Sequence, residues 1–502
     1  MGKLNLLVAG VALTAAALHA QELGNIDFPT SGAAAAQPKF IEGVKDLHSF
    51  EFDEAADAFR QAQQIDPNFA LAYWGEALSY NHPLWAQLDL PASKKALERL
   101  SPTLAGRLAK AHTEKEKAYL EAADQLFYAP GDKLARDNAY SAKMAQMYDR
   151  WPDDREVAIF YAVSLLGTVR PADKGFRRQA LAASIALKVY QENPNHPGAA
   201  HFIIHAFDDP DHAILALPAA RMYARIAPAA PHALHMPSHI FVQLGMWQDV
   251  VDSNIVAYQA AEALIARMHL PEGREDFHTL SWLEYGNLML GKFDEARKNV
   301  DLAKQAADRN PRNANLAQQY HTMLARYILE TGKWEKIPLE RSTEGPAVHE
   351  GMPGMPGMPY SGEGAWVFIA GLSAAKLGDA DQAERARASL TAMRQGVESS
   401  GDAYAAKPLA IMENEVAAAA ALARGQKSEA VRLAKQAADI ESTLAAPSGP
   451  PDPIKPALEF YGEVLLDAGR TAEAVTAFEQ ALLRTPKRSP SVAGLARATA
   501  ER

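Results

Sequence analysis

The residues with the most chemistry to offer are histidines, and they are unevenly placed. Ten of the fifteen fall between residues 196 and 321, a quarter of the chain where an even spread would put roughly four. His201 and His205 are four apart, so on a helix they share one face. His232, His235 and His239 stand at i, i+3 and i+7 and form a stripe. The two sets are in register, because His201 to His235 and His205 to His239 are both separations of 34 residues. Neutral imidazole is a ligand for zinc, copper, nickel and iron, and two histidines at i and i+4 can share one ion. His201, His205, His235 and His239 are therefore the candidate metal ligands, for a divalent ion of the zinc or copper type.

Other side chains extend the constellation. If Gly245 and Gly291 mark equivalent turns, His278 aligns with His232 and Tyr285 with His239. Asp208 and Glu284 are the nearby carboxylates, suited to mixed ligation or to orienting an imidazole. An earlier helix places Trp74, Asn81 and His82 on a comparable stripe. Trp74, Asn81, His82, Asp208, His232, His278, Glu284 and Tyr285 are the expected ligand-binding set. A metalloprotease pattern is absent, since no His-Glu-x-x-His occurs. The same histidines also suit a metal-free site that hydrogen-bonds a peptide or carboxylate, or simple packing. Pro237, inside the stripe, removes one helix hydrogen bond. It reads either as a tolerated kink or as a device that re-aims His235 and His239.

The elements that must carry these residues are helices of about 12 to 18 residues separated by Pro, Gly, Asn or Asp. Residues 52–68, FDEAADAFRQAQQIDPN, place Ala55, Phe59, Ala62 and Pro67 at helical spacing, and a second helix carries Tyr73, Ala77 and Tyr80. Similar text returns as LGKFDEA at 290–296 and AGRTAEAVTAFEQA at 468–481, and Pro194 to Pro228 spans 34 residues. These stretches resemble the tetratricopeptide repeat family, in its exported bacterial form, over about residues 37 to 485. The resemblance implies an all-α, right-handed α-solenoid of antiparallel helix pairs held by neighbour interfaces rather than one central core. It also implies that the first helix of each pair lines a concave groove, which would receive the histidines. Two stretches interrupt the array: Pro91 to Thr113 lengthens a connection, and 337–364 forms a Pro/Gly/Met-rich loop. That loop contains His349 and the soft thioethers of Met352, Met355 and Met358, which suit Cu(I) capture or a plain linker.

Composition sets the outer bounds. Lysine and arginine number 51 against 61 acidic residues, a formal charge of −10, which argues against nucleic acid as a partner. The chain has no cysteine, so disulfides and thiolate metal sites are excluded. Lys3 followed by the apolar run Leu4 to Leu18 and the small residue Ala20 reads as a signal peptide over 1–20. Residues 21–36 read as a flexible lead-in and 486–502 as a C-terminal cap or tail. The expected address is periplasmic or secreted.

From these residues the chain is expected to be a binding scaffold whose histidine-rich groove holds a divalent metal and a peptide, protein or small ligand, with no membrane span. A metal-dependent hydrolase or oxidoreductase using the same groove is the first alternative, and a metal-free interaction scaffold the second. No nucleophile motif or phosphate-binding glycine loop favours a particular reaction.

Overall fold

A computed structural model describes residues 23–170, 173, 175–270, 273–274, 276–339 and 361–502. The expected signal peptide and the methionines of the Gly-Met-Pro run lie outside the described residues. The fold is all-α and tetratricopeptide-like: short loops join most consecutive helices, and most of these pack on the next. Among the described residues the sole strands form a two-residue bridge that pairs Asn81 with Leu88 and His82 with Gln87. No described helix is long and apolar enough to cross a membrane. The chain divides into two compact units, one of residues up to Phe207 with Leu215–Pro237, the other of Asp208–Ile214 with Ser238–Arg502.

Close helix contact in both units follows from the same substitution of glycine for bulk. In the first unit the Phe59 ring, fully buried, lies where a Cβ on Gly75 would stand 2.4 Å from it and one on Gly43 2.9 Å. In the second, Phe478 is seated identically against Gly494 at 2.4 Å and Gly462 at 2.9 Å. These two phenylalanines come from the sequence stretches that resemble one another. Helix starts are supplied by side-chain caps such as Asp154, which accepts from the Val157 N–H at 3.1 Å. Thr113 and Glu116 form a reciprocal capping box.

The first unit does not behave as an open row of pairs. Helix Pro197–Ala206 packs back on helix Gln37–His48. The segment preceding Gln37, expected to be a flexible lead-in, is tied down instead. The Asn25 N–H donates to the Asn195 carbonyl at 2.8 Å, and Ser31 donates from its N–H and hydroxyl to Glu116 at 2.6 and 2.7 Å. Phe28 is buried among Phe40, Trp74, Tyr119 and Phe160, one ring from each of four helices. Burial of this ring, together with the hydrogen bonds to Asn195 and Glu116, offsets the ordering cost of the Gly/Ala/Ser-rich residues around it.

In the second unit the C-terminal end returns to the start. Trp247 Nε1 donates to the Lys487 carbonyl at 2.9 Å, and Ser489 Oγ donates to the Met289 carbonyl at 2.6 Å. Residues 486–502 are thus an integrated cap with helix Ser489–Ala500 rather than a tail. The fully buried Arg488 guanidinium binds Glu459 at 2.9 Å and also Glu330, and Lys455 donates to Glu459 at 2.8 Å. The stretch Pro91 to Thr113, expected to lengthen a connection, contains most of helix Leu90–Leu100 and all of helix Leu104–Leu108. The expected loop over 337–364 ends earlier than its sequence suggested, since a helix begins at Ser361.

Candidate functional site: three histidines in the first unit

Helix Pro197–Ala206 opens with Pro197 at its first position, and the side chain of His196 caps it by accepting from the Ala199 N–H. His201 and His205 follow on one face with their rings 4.6 Å apart. His232 enters from helix Pro231–His235, its backbone N–H held by the Glu51 carboxylate at 2.9 Å. One potential ligand atom from each of His201, His205 and His232 lies within 4.8 Å of the others. Their spacing suits a shared ion: His201 Nε2 and His232 Nε2 stand 3.2 Å apart. Two nitrogens on one tetrahedral zinc, at metal–nitrogen distances of roughly 2.0–2.1 Å, are about 3.3 Å apart.

The tautomer of His201 favours ligation. His201 Nδ1–H donates to the backbone carbonyl of His48 at 2.7 Å, so in the neutral ring Nε2 carries the lone pair. A ligating histidine characteristically gives its second nitrogen to such an acceptor. Around the centre, Tyr223 stacks on His201 at 5.2 Å. Phe50 packs on all three imidazoles at 4.4 to 5.6 Å. Phe50 has a φ of 58°, a left-handed conformation that is costly for a bulky residue and is maintained by its surroundings. His201 is fully buried, while His205 and His232 are half-buried.

The His48 carbonyl is itself anchored. His48 Nε2–H donates to Glu156 Oε2 at 2.8 Å, and His196 Nε2–H donates to Oε1 at 3.1 Å. All three side chains are buried. The capping role of His196 Nδ1 leaves its proton on Nε2, so the arrangement is a carboxylate holding two imidazole donors. Burial alone would push the Glu156 carboxyl up, but the two imidazoles outweigh it and hold it at about 2. Burial lowers His48 despite Glu156. Although these groups could also surround an ion, both carboxylate oxygens are already occupied. The trio is best read as a brace joining helices Gln37–His48, Arg155–Gly167 and Pro197–Ala206. Its histidines lack a shared spacing, and Glu156 carries no local signal that sequence reading could have used.

The remaining sequence candidates lie as follows. His235 is buried in the first unit, its ring 6.2 Å from that of His232. Trp74 is a core residue rather than a groove residue: it is fully buried and packs on Tyr119 at 4.9 Å and Phe160 at 5.0 Å. Asn81 and His82 do not continue its helix, which ends at Leu78. They sit on the small bridge, where His82 stacks on Phe52 at 4.0 Å.

His239 belongs to the second unit, where its Nδ1–H donates to Asp208 at 2.7 Å. Gln243 Nε2 also donates to Asp208, at 3.1 Å. His278 lies 6.1 Å from the His239 ring, with Trp282 packed on both. Burial, followed by His239, pushes His278 down to about 3, so it is neutral. Glu284 and Tyr285 are interior groups of this unit and do not line a groove. Glu284 accepts from Arg326 at 3.1 Å; burial pushes its carboxyl up to about 8, against the pull of Arg326. The Tyr285 hydroxyl accepts from Arg488 at 3.3 Å. Around Pro237 the helix is divided into Pro231–His235 and Pro237–Gln243.

The fold and this geometry define a tetratricopeptide-like helical repeat protein with a buried-to-half-buried histidine centre. No family model and no curated protein sequence matches the chain. The solved structures to which it is similar include three of low identity. Yeast Tom70 shares 11% identity at a TM-score of 0.34, covering 93% of this chain and 88% of that one. The tetratricopeptide domain of P58(IPK) shares 11% at a TM-score of 0.24, covering 93% and 98%. Human IFIT1, solved as a dimer with m7Gppp-AAAA, shares 12% at a TM-score of 0.35, covering 94% and 93%.

Proposed function

We propose that this chain is an exported binding scaffold in which His201, His205 and His232 hold one divalent transition metal, zinc or copper. The metal's open position would receive a donor group of a peptide, protein or small ligand. The observation that carries this reading is the His48 carbonyl on His201 Nδ1, which leaves Nε2 as a lone-pair donor 3.2 Å from His232 Nε2. His232 replaces His235 and His239 as the third ligand in this proposal, because its nitrogen is the one that meets His201. The export part rests on the N-terminal sequence Met1 to Ala20.

Metal analysis of untagged protein and titration with Zn(II) and Cu(II) test the centre. One equivalent is expected to bind the parent protein and the exposed control His112→Ala, and binding is expected to weaken by at least about a hundredfold in His201→Ala and His232→Ala. Equal affinity in all four proteins overturns the proposal.

A metal-dependent hydrolase is the second reading, favoured by the three-histidine donor set, which would leave a tetrahedral ion one position for water. Glu51 is the carboxylate next to the centre, with one oxygen on the His232 N–H. Hydrolysis of activated esters by the zinc-loaded protein, lost in His232→Ala, would support it.

A further inference from the structure

Helix Gln37–His48 closes with a pair of backbone bonds: the Glu51 N–H donates to the Asp46 carbonyl at 3.0 Å and the Phe50 N–H to the Leu47 carbonyl at 3.3 Å. Such a closure needs a left-handed residue at its pivot, here Phe50. Among the described residues, five other helix ends close by the same pair of bonds, with Gly245, Gly291, Gly378, Gly425 or Gly469 as the pivot. Glycine takes that conformation without a steric cost. His269 is a further exception, but it is exposed and of a residue type enriched there. Phe50 is bulky and buried.

The sequence marks the same departure. Residues 49–55, SFEFDEA, repeat the text LGKFDEA of 290–296, with Phe50 in the place of Gly291 and Glu51 in the place of Lys292. Both replacements meet the histidine centre. The Phe50 ring lies 4.4 Å from His201 and 5.6 Å from each of His205 and His232. Glu51 holds the His232 N–H at 2.9 Å, and the His48 carbonyl two residues before Phe50 accepts from His201. One turn therefore touches every member of the centre, and its left-handed pivot carries the ring that packs on all three. A costly conformation of this kind persists where its surroundings over-determine it, and it points to a site.

We propose that Phe50 is a positioning residue of the histidine centre and sets which ions the centre accepts. The inference rests on reading His201, His205 and His232 as metal ligands. The ring holds the imidazoles in their mutual arrangement and sets an apolar face against one side of the centre, where a six-coordinate ion would carry water. An ion with three imidazoles and one outside ligand needs no water on that side.

Titration of the full chain with Zn(II) and with Ni(II), an ion that takes more ligands than zinc, decides the matter. The parent protein is expected to prefer zinc by at least about tenfold, and Phe50→Gly to lose most of that preference. Phe50→Tyr, which keeps the ring, should retain it. The ratio of the two affinities is the readout because a general loss of stability weakens both metals alike. Glycine is the pivot of the same closure elsewhere, so the backbone of Phe50→Gly can keep its turn; far-UV circular dichroism establishes that each variant is folded. If Phe50→Gly is not, Phe50→Leu carries the test through the same ratio. Zinc binding by the parent with a ratio unchanged in the ringless variant overturns this inference and leaves the metal reading standing. Absence of zinc binding by the parent overturns both.

Discussion

Replacing Glu156 by glutamine removes the one anion that joins His48, His196 and, through the His48 carbonyl, His201. Glutamine retains one acceptor oxygen but turns an amide N–H2 toward the second imidazole. His196 cannot adapt readily, because its Nδ1 is committed to the Ala199 N–H, so a donor would face a donor. Holding a buried carboxyl at about 2 instead of 4.5 is linked to about 3 kcal/mol of stability at neutral pH. Because the folded value lies below the unfolded one, that stability is present above pH 4.5 and is lost as the pH falls toward about 2. His48 acts in the same sense: burial lowers it from 6.5, so acid opposes folding there too. Hydrogen exchange of peptides from helix Pro197–Ala206 reads the first unit alone. At pH 7 the slowest amides of Glu156→Gln should exchange roughly a hundredfold faster than those of the parent protein, the equivalent of about 3 kcal/mol. Below pH 4 the free-energy gap between the two proteins, measured by urea unfolding, should narrow. An unchanged exchange rate at pH 7, or a gap independent of pH, would refute the view that this carboxylate braces the unit.

The other expectations concern single side chains. Phe28→Ala should cost the first unit about 3–5 kcal/mol, measured by urea unfolding, because the ring has four aromatic neighbours and no backbone substitute; an unchanged midpoint would mean that the segment merely rests on the surface. Arg488→Met leaves the buried Glu330 carboxylate without its guanidinium and Glu459 with Lys455 and Ser491 alone, and should destabilise the second unit by about 3–5 kcal/mol, seen as faster exchange across helix Ser489–Ala500, with parent-like protection as the contrary result. Gly75→Ala would set a methyl 2.4 Å from the Phe59 ring and should lower the melting temperature through a loss of about 1–3 kcal/mol; a higher one would show that the ring has room to shift. Zinc affinity should fall as pH drops below about 6.5, since protonated imidazole cannot ligate, and a pH-independent affinity would remove the histidines from the site.

Local patterns were legible in the sequence. The i, i+4 spacing places His201 and His205 on one face, and the likeness between the stretches around Phe59 and Phe478 announces equivalent packing against glycines. What spacing could not supply was which neighbour each face meets. His232 is three residues from His235 and shares its helix, yet it is His232 whose Nε2 reaches His201, because Glu51 holds its backbone from across the unit. Trp74 has the stripe position of a groove residue, but the place a ligand would occupy beside it is taken by Phe28. A segment rich in glycine, alanine and serine reads as unstructured because composition averages over its single phenylalanine. The Glu156 brace depends on contacts between residues 40 and 108 positions apart, for which helical periodicity has no signal.

The return of helix Pro197–Ala206 to helix Gln37–His48, with residues 25–31 threaded between them and their neighbours, changes how this unit must assemble. A row of repeats can nucleate anywhere and grow outward, and its ends can fray separately. Here Asn25 finds its partner only after Asn195 has followed, 170 positions behind it. The loop-closure entropy of that long excursion must be met before its contacts form. Folding of the unit should therefore be slow for an all-helical protein, limited by sequence-distant contacts rather than by helix formation. The intermediate that waits would expose the aromatic surface that Phe28 later covers, and a chaperone that engages such surfaces would meet it at that stage.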